Sequence, residues 1–272
     1  MLTDARGHAH APYHDTPRIV SLVPSITELL FTLGLGPQVV GRTTFCIHPA
    51  PELARVERVG GTKKPRIDKI RALAPTHVIV NIDENRKEDV EALEAFVPHI
   101  VVTHPITPED NIALYQLIGG VFNRQDEMQS LCRELTTRLQ RTRAPQSPPR
   151  RVLYLIWREP WMTISCDTYI SRMLSLIGWT TAGHCDERRY PELEPSADWL
   201  QQEQVELVLF SSEPFPFKPE HVEEFKRLVA PRDVPCTFID GEMVSWYGSR
   251  AIAGIDYLHD LVQRFAHTSP DI

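Results

Sequence analysis

The sequence has no run of apolar residues approaching the ~20 that span a bilayer. Nor does it open with a basic start and an apolar stretch of the ~7–15 residues a secretory signal needs. As it stands, the chain is predicted to be soluble and cytoplasmic, and periplasmic only if translation starts further upstream. Its five cysteines, Cys46, Cys132, Cys166, Cys185 and Cys236, are odd in number and scattered. They form no CxxC pair, so neither a disulfide framework nor a zinc ribbon is indicated, and reduced thiols are expected. Basic clusters are also scarce; the densest stretch, Arg138 to Arg151, reads as a helix end and linker, and the net charge is −7. That balance excludes a nucleic-acid surface, which needs a basic field over phosphates. There is no GxSxG, HExxH, phosphate loop or strand-linked GxGxxG, so the evidence for an enzyme is thin.

What the chain does have is a repeat. Its 272 residues exceed the usual size of one core, which favours two linked lobes. Arg18–Leu22 leads into an amphipathic run, Ser25 to Leu35, as Arg151–Leu155 leads into Thr168 to Ile177. Asp68–Leu73 precedes the apolar His77–Asn81, as Asp198–Leu200 precedes Leu207–Ser211. Val97–Val102 and Val234–Ile239 each precede a helix-like stretch. The offsets are 133, 130 and 137 residues, nearly constant, as a duplication requires. Short, almost continuous apolar strands alternating with helices suit parallel sheets covered on both faces, an α/β fold. Met128, Leu131, Leu135 and Leu139 fall at helical spacing and predict one long helix between the halves, ended by the prolines after Ala144. The expected division is residues 17–123, a linking helix and linker over 124–148, and 149–268. The N-terminal segment, with His8, His10 and His14, reads as a disordered, solvated tail.

In such a fold the loops at the carboxyl ends of the strands carry the ligand chemistry. Ser25 and Glu28 read as a capping box for the first helix. Phe45, Cys46 and His48 put an aromatic, a thiol and an imidazole within four residues, and Cys46 with His48 is a candidate metal pair. Asn81, Asp83 and Glu84 give an apolar strand a polar end, which either meets a ligand or caps the helix near Arg86. The second half is rich in loop aromatics: Trp157, Trp161, Tyr190, Phe215, Phe217, Trp246 and Tyr247, with Glu213 and Arg250 as polar handles. Flat rings with few polar groups suit a large, partly apolar ligand. A rival reading is a cytoplasmic metal-dependent enzyme or metal chaperone using Cys46, His48 and the Asp83–Glu84 pair.

The opening Arg18–Leu30, the turn Val59–Thr62, the stretch Ile70–Val80 and the single linking helix together resemble the periplasmic solute-binding proteins for vitamin B12, haem and ferric siderophores, the helical-backbone metal receptors. The resemblance covers about residues 17 to 266 and is nearest to the cobalamin branch. It implies two Rossmann-like lobes joined by one long rigid helix, with a bulky ligand such as a corrinoid or metal chelate held between the lobes and no covalent cofactor. It also implies docking to an ABC permease, if the chain is exported, through one acidic residue on each lobe. Phe45, Trp161 and Tyr190 match the family's ring-flanking aromatics. Thr62 and Asn81 stand where that family has tryptophans, and Trp246 stands where it has an arginine. Asp68 matches the first docking position; the second falls among Glu192, Glu194 and Asp198, with Glu194 taken as the candidate.

Overall fold

The computed structural model describes residues 2–142, 148–183 and 188–267. The chain divides into two compact units. One holds Met1–Pro105, Glu109–Thr136 and Tyr247–Arg250; the other holds Ile106–Pro108, Thr137–Trp246 and Ala251–Ile272. The expected boundaries therefore move: residues before 17 join the first unit, and so does a four-residue segment near the C-terminus.

The first unit opens with a hairpin of β1 (Leu2–Thr3) and β2 (Ala9–His10). There follow β3 (Ile19–Ser21), α1 (Pro24–Thr32), β4 (Val39–Arg42), α2 (Ala50–Leu53) and β5 (Glu57–Arg58). A hairpin of β6 (Gly60–Gly61) and β7 (Lys64–Pro65) leads to α3 (Ile67–Ala72) and β8 (His77–Asn81). Then come α4 (Lys87–Glu94), β9 (His99–Thr103) and α5 (Asp110–Val121). The sheet runs β5-β4-β3-β8-β9, every pair parallel. Its central strands are buried on both faces, which is why they read as continuous apolar runs. Gly60 sits at φ +106°, and a Cβ there would lie 2.6 Å from the Lys64 carbonyl oxygen, so the turn requires glycine.

The helix expected between the halves is α6 (Gln125–Arg141), whose residues up to Thr136 belong to the first unit and the rest to the second. The second unit continues with β10 (Arg150–Trp157), β11 (Met162–Thr163), α7 (Tyr169–Ser175), β12 (Trp179–Thr181) and α8 (Ala197–Gln202). After these come β13 (Leu207–Ser211), α9 (Pro219–Leu228), β14 (Cys236–Ile239), α10 (Gly241–Ser245) and α11 (Arg250–His267). Here β12, β10, β13 and β14 pair in parallel in that order, and β11 adds antiparallel to β10. In both units the first strand of the sheet, β3 or β10, has β4 or β12 on one side and β8 then β9, or β13 then β14, on the other, with β5 extending the first sheet beyond β4. The duplication seen in the sequence is a duplication of topology.

The N-terminal segment is not a solvated tail. Ala5 N donates to Val102 O at 2.9 Å, and Val102 N donates back to Asp4 Oδ2 at 3.2 Å, so the segment closes the open edge of β9. His10 is buried with its ring 3.3 Å from Asp4, and Leu2 packs over Gly120. Behind it His77, 2% exposed, stacks on His99 at 4.7 Å and meets Tyr13 and Phe122 edge-on. Contacts of this kind order a stretch whose composition alone suggests disorder.

Burial, and then the neighbouring His99, push the His77 imidazole down to about 3. The folded state therefore favours the neutral ring. Its contribution is complete above the unfolded value near 6.5 and is lost as pH falls toward 3. Urea unfolding should show a loss of up to about 1.4 kcal/mol per pH unit below 6.5 from this group. In His77→Gln that slope should flatten. An identical slope in the variant would show that His77 does not carry the acid sensitivity.

Candidate ligand-binding site

In the first unit, β4 ends on Arg42, 5% exposed, whose guanidinium donates to the carbonyls of Thr43, Cys46 and Leu53. Tied down from inside, the loop turns Phe45 and Ile47 outward, 60% and 49% exposed. Cys46 points the other way and is fully buried, with the hydroxyls of Thr27 and Thr43 at 3.0 and 3.1 Å from its sulfur. Burial raises its pKa, whereas a metal ligand has to be a thiolate. Cys46 is thus a core thiol. Among the described residues no three His, Cys, Asp or Glu side chains are grouped to hold a metal ion. The pairing of Cys46 with His48, which is half-buried, therefore has no supporting donors.

The loop after β8 is organised by Asn81, which is buried and uses its side chain on the backbone. Its Oδ1 accepts from Asp83 N at 2.8 Å and Glu84 N at 3.3 Å, while Asn85 Oδ1 accepts from Asn81 N at 2.8 Å. Asn81 was a candidate ligand contact; it is instead the pin of an Asx turn. The helix that follows, α4, has Arg86 as its N-cap residue and no side-chain cap, so Asn81 does not cap it either. That turn holds Ile82 outward, 48% exposed. Asp83 lies 3.4 Å from His104 Nε2, and its carbonyl accepts from Lys63.

Glu84 accepts a 2.5 Å hydrogen bond from Tyr247 Oη. Tyr247 belongs to the segment Tyr247–Arg250 of this unit, where Gly248 N donates to Asn111 Oδ1 at 2.6 Å and Tyr115 Oη donates to Gly248 O at 2.8 Å. Burial, with Glu84 beside it, holds the Tyr247 phenol well above its ordinary pKa, so it is a permanent donor. Arg250 forms a two-pronged pair with Glu28 at 2.8 and 2.7 Å. This corrects the capping box: Val23 occupies the N-cap of α1 with no side-chain bond, Ser25 is buried, and Glu28 is spent on Arg250.

In the second unit the aromatics divide. Trp157, at the end of β10, is 39% exposed and stands edge-on to Phe215 at 5.6 Å. Tyr190 is likewise 39% exposed. Trp161, by contrast, is 8% exposed, stacked on Phe217 at 5.8 Å and edge-on to Phe225 at 5.5 Å, part of the core. Trp246 is 7% exposed, and its indole N–H donates to Glu213 Oε1 at 2.8 Å, where Ser245 Oγ also donates at 2.7 Å. Burial pushes the Glu213 carboxyl up against these two donors. Trp161 and Trp246, both expected to line the surface, are packed: Trp161 against Phe217 and Phe225, and Trp246 with its indole N–H on the Glu213 carboxylate. Glu213 and Trp246 serve to fix the loop after β13.

The apolar residues that sequence reasoning passed over are Ile47 and Ile82. Their signal was legible: each is an aliphatic residue in an otherwise polar stretch just beyond a strand. Of the acidic residues considered for docking, Asp68 is the second residue of α3 and exposed, Asp198 is the second residue of α8 and exposed, and Glu194 is exposed and lies before α8. Finally, Cys166 is disulfide-bonded, against the expectation of reduced thiols; Cys46, Cys132 and Cys236 are free, and Cys185 lies outside the described residues.

The sequence profile of the periplasmic binding protein family matches residues 19–228. The vitamin B12-binding protein of Vibrio cholerae serotype O1 is 25% identical over 198 residues, covering 72% of this chain and 70% of that protein. Among solved structures, the periplasmic vitamin B12-binding protein BtuF of Vibrio cholerae superposes with a TM-score of 0.77 at 19% identity, covering 93% of this chain and 98% of that one. The periplasmic heme-binding protein RhuT of Roseiflexus, in its apo form, gives 0.78 at 20% identity, covering 93% and 99%. A 64-residue stretch is 42% identical to a Bacillus subtilis ABC transporter substrate-binding lipoprotein, over 24% of this chain and 20% of that one.

Trp161→Ala should lower stability by ~3–5 kcal/mol, the range for emptying a buried tryptophan site. Trp157→Ala, at a half-exposed site, should cost under ~1 kcal/mol. Thermal or urea unfolding of the two variants checks the assignment, and similar losses in both would contradict it.

Proposed function

The chain belongs to the periplasmic binding protein family, and we propose that it is the ABC-transporter receptor for a bulky, partly apolar ligand of corrinoid or tetrapyrrole type. One observation carries this reading: large apolar side chains stand exposed at the carboxyl ends of the strands of each unit. Phe45, Ile47 and Ile82 do so in the first and Trp157 in the second, with the exposed Tyr190 in the segment beside β11. Leu228 and Phe238 are exposed elsewhere, but only these loops gather several large apolar groups, and such a cluster left in water marks a surface that something covers. Around them, polar groups such as Asn81, Glu84, Tyr247 and Glu213 hold the loops in shape, so the surface is preorganised.

The relatives are solute-binding proteins, and the comparison proteins bind vitamin B12 and heme by their names. This favours a receptor over the metal-dependent enzyme, since Cys46 is a buried thiol and, among the described residues, Cys46, His48 and Asp83/Glu84 are not grouped to hold a metal ion. Docking to a permease is proposed through Asp68 on the first unit and through Glu194 or the neighbouring Asp198 on the second. A periplasmic location is part of the reading. The cytoplasmic location expected from the sequence finds no support in the family, and a disulfide at Cys166 belongs to an oxidising compartment.

Titration of the purified protein with cyanocobalamin and with haemin, followed by visible absorption, tests the reading. At least one should bind at one per chain. Phe45→Ala combined with Trp157→Ala should weaken that binding about tenfold, from ~0.5–1.5 kcal/mol per lost ring, while leaving the unfolding midpoint nearly unchanged. Failure of both macrocycles to bind would overturn it.

A further inference from the structure

We propose that the first unit carries a cationic docking face, centred on Arg58, Lys64 and Arg66, that rests on an anionic lipid surface. It is an interaction surface apart from the ligand site, and every residue of it belongs to one unit.

The net charge of −7 conceals a strong local sign. Seven of the 17 residues from 55 to 71 are Lys or Arg, against Glu57 and Asp68, a local charge of +5. That is denser than Arg138 to Arg151, expected from the sequence to be the most basic stretch. The fold gathers these residues. Arg58 ends β5, the outermost strand of the sheet, and both residues of that strand are exposed. The chain then turns back as the β6–β7 hairpin, where Gly61 lies opposite Lys64 and Arg66 N donates to Val59 O at 2.6 Å. Arg66 is thereby held beside the end of β5. Next, α3 brings Lys69 back, so that its ammonium donates to the Glu57 carboxylate and, at 3.4 Å, to the Arg58 carbonyl.

Three of the seven cations are engaged. Lys63 donates to the Asp83 carbonyl at 2.6 Å, Lys69 pairs with Glu57, and Arg71 lies 4.0 Å over the ring of Phe96. The other four, Arg55, Arg58, Lys64 and Arg66, are exposed, and among the described residues no acidic side chain forms an ion pair with any of them. A small anion needs donors that converge in a pocket, and an acidic protein needs its carboxylates in one matching arrangement. Long, free cations along exposed strands ask for neither. They suit a surface dense in negative charge, where each is worth roughly fivefold in affinity. At about 0.1 M salt, charges further away than ~10 Å are screened, so the local excess outweighs the acidic remainder of the chain. Asp68, proposed to reach a permease, lies in the same stretch; the choice of lipid over another polyanion rests on that docking reading, which sets this face toward a membrane.

Co-sedimentation of the full chain with phosphatidylglycerol vesicles and with phosphatidylcholine vesicles, without ligand and at about 0.1 M salt, reads the interaction. The chain should partition about tenfold more strongly onto the anionic vesicles, and about 0.5 M salt should release it. Arg58→Ser, Lys64→Ser and Arg66→Ser combined should lower that partition about tenfold or more and leave the unfolding midpoint at the wild-type value. Removing as much charge around α9, through Lys218→Ser, Lys226→Ser and Arg227→Ser, all exposed, should leave the partition nearly unchanged. Equal partition onto the two kinds of vesicle, the outcome for a patch that serves an acidic protein, would overturn the proposal. So would an α9 variant that loses as much as the hairpin variant, or a folded hairpin variant that loses nothing. The assay holds no ligand and is independent of the macrocycle titration. A chain that binds neither macrocycle yet holds to anionic vesicles loses the receptor reading and keeps this one.

Discussion

A strand in a parallel sheet cannot return to its neighbour through a tight turn. The chain has to cross the face of the sheet, usually as a helix, before the next strand begins. Every strand of the two main sheets, β11 aside, obeys this constraint. One consequence is that the central strands are buried on both faces and read as apolar runs, while the edge strand β5 is exposed. The other is that all loops leaving the carboxyl ends in a unit gather at one edge of its sheet. The edge is therefore the place where chemistry can accumulate without disturbing the core, and the exposed Phe45, Ile47, Ile82 and Trp157 are found there.

Holding such groups in water requires a rigid support, and the support is polar. Arg42 ties the β4 loop from beneath, Asn81 winds the β8 loop, and Glu213 gathers Ser245 and Trp246 under the β13 loop. In the first unit the segment Tyr247–Arg250 is fastened at Glu84, Asn111, Tyr115 and Glu28. Several of these side chains look, in isolation, like ligand contacts. Their hydrogen-bonding capacity is instead used on the protein, which preorganises the apolar surface.

The fold was largely legible before any coordinates. Nearly constant offsets between Arg18 and Arg151, Asp68 and Asp198, and Val97 and Val234 encode two copies of one topology, because strand order and crossover length are set locally. The site was legible only in part. Position beyond a strand identifies the right loops, but not which side chain faces outward. Within one loop Phe45 points out and Cys46 in, and Trp157 is half-exposed while Trp161 is packed on Phe217 and Phe225. That choice depends on which neighbouring ring fills the space beneath, a contact between residues dozens of positions apart. The N-terminal segment was misread for a related reason. Its order comes from pairing with Val102 and Asn123, and nothing in residues 2–16 taken alone announces those partners.

Hydrogen–deuterium exchange with and without cyanocobalamin tests most directly the claim that the carboxyl-end loops form the binding surface. Slower exchange on ligand addition should be confined to residues 43–49, 82–86, 157–161 and 212–217. The N-terminal hairpin, α9 and β14 should be unaffected. Protection centred on those latter elements, or none in the four loops while ligand is bound, would contradict the account.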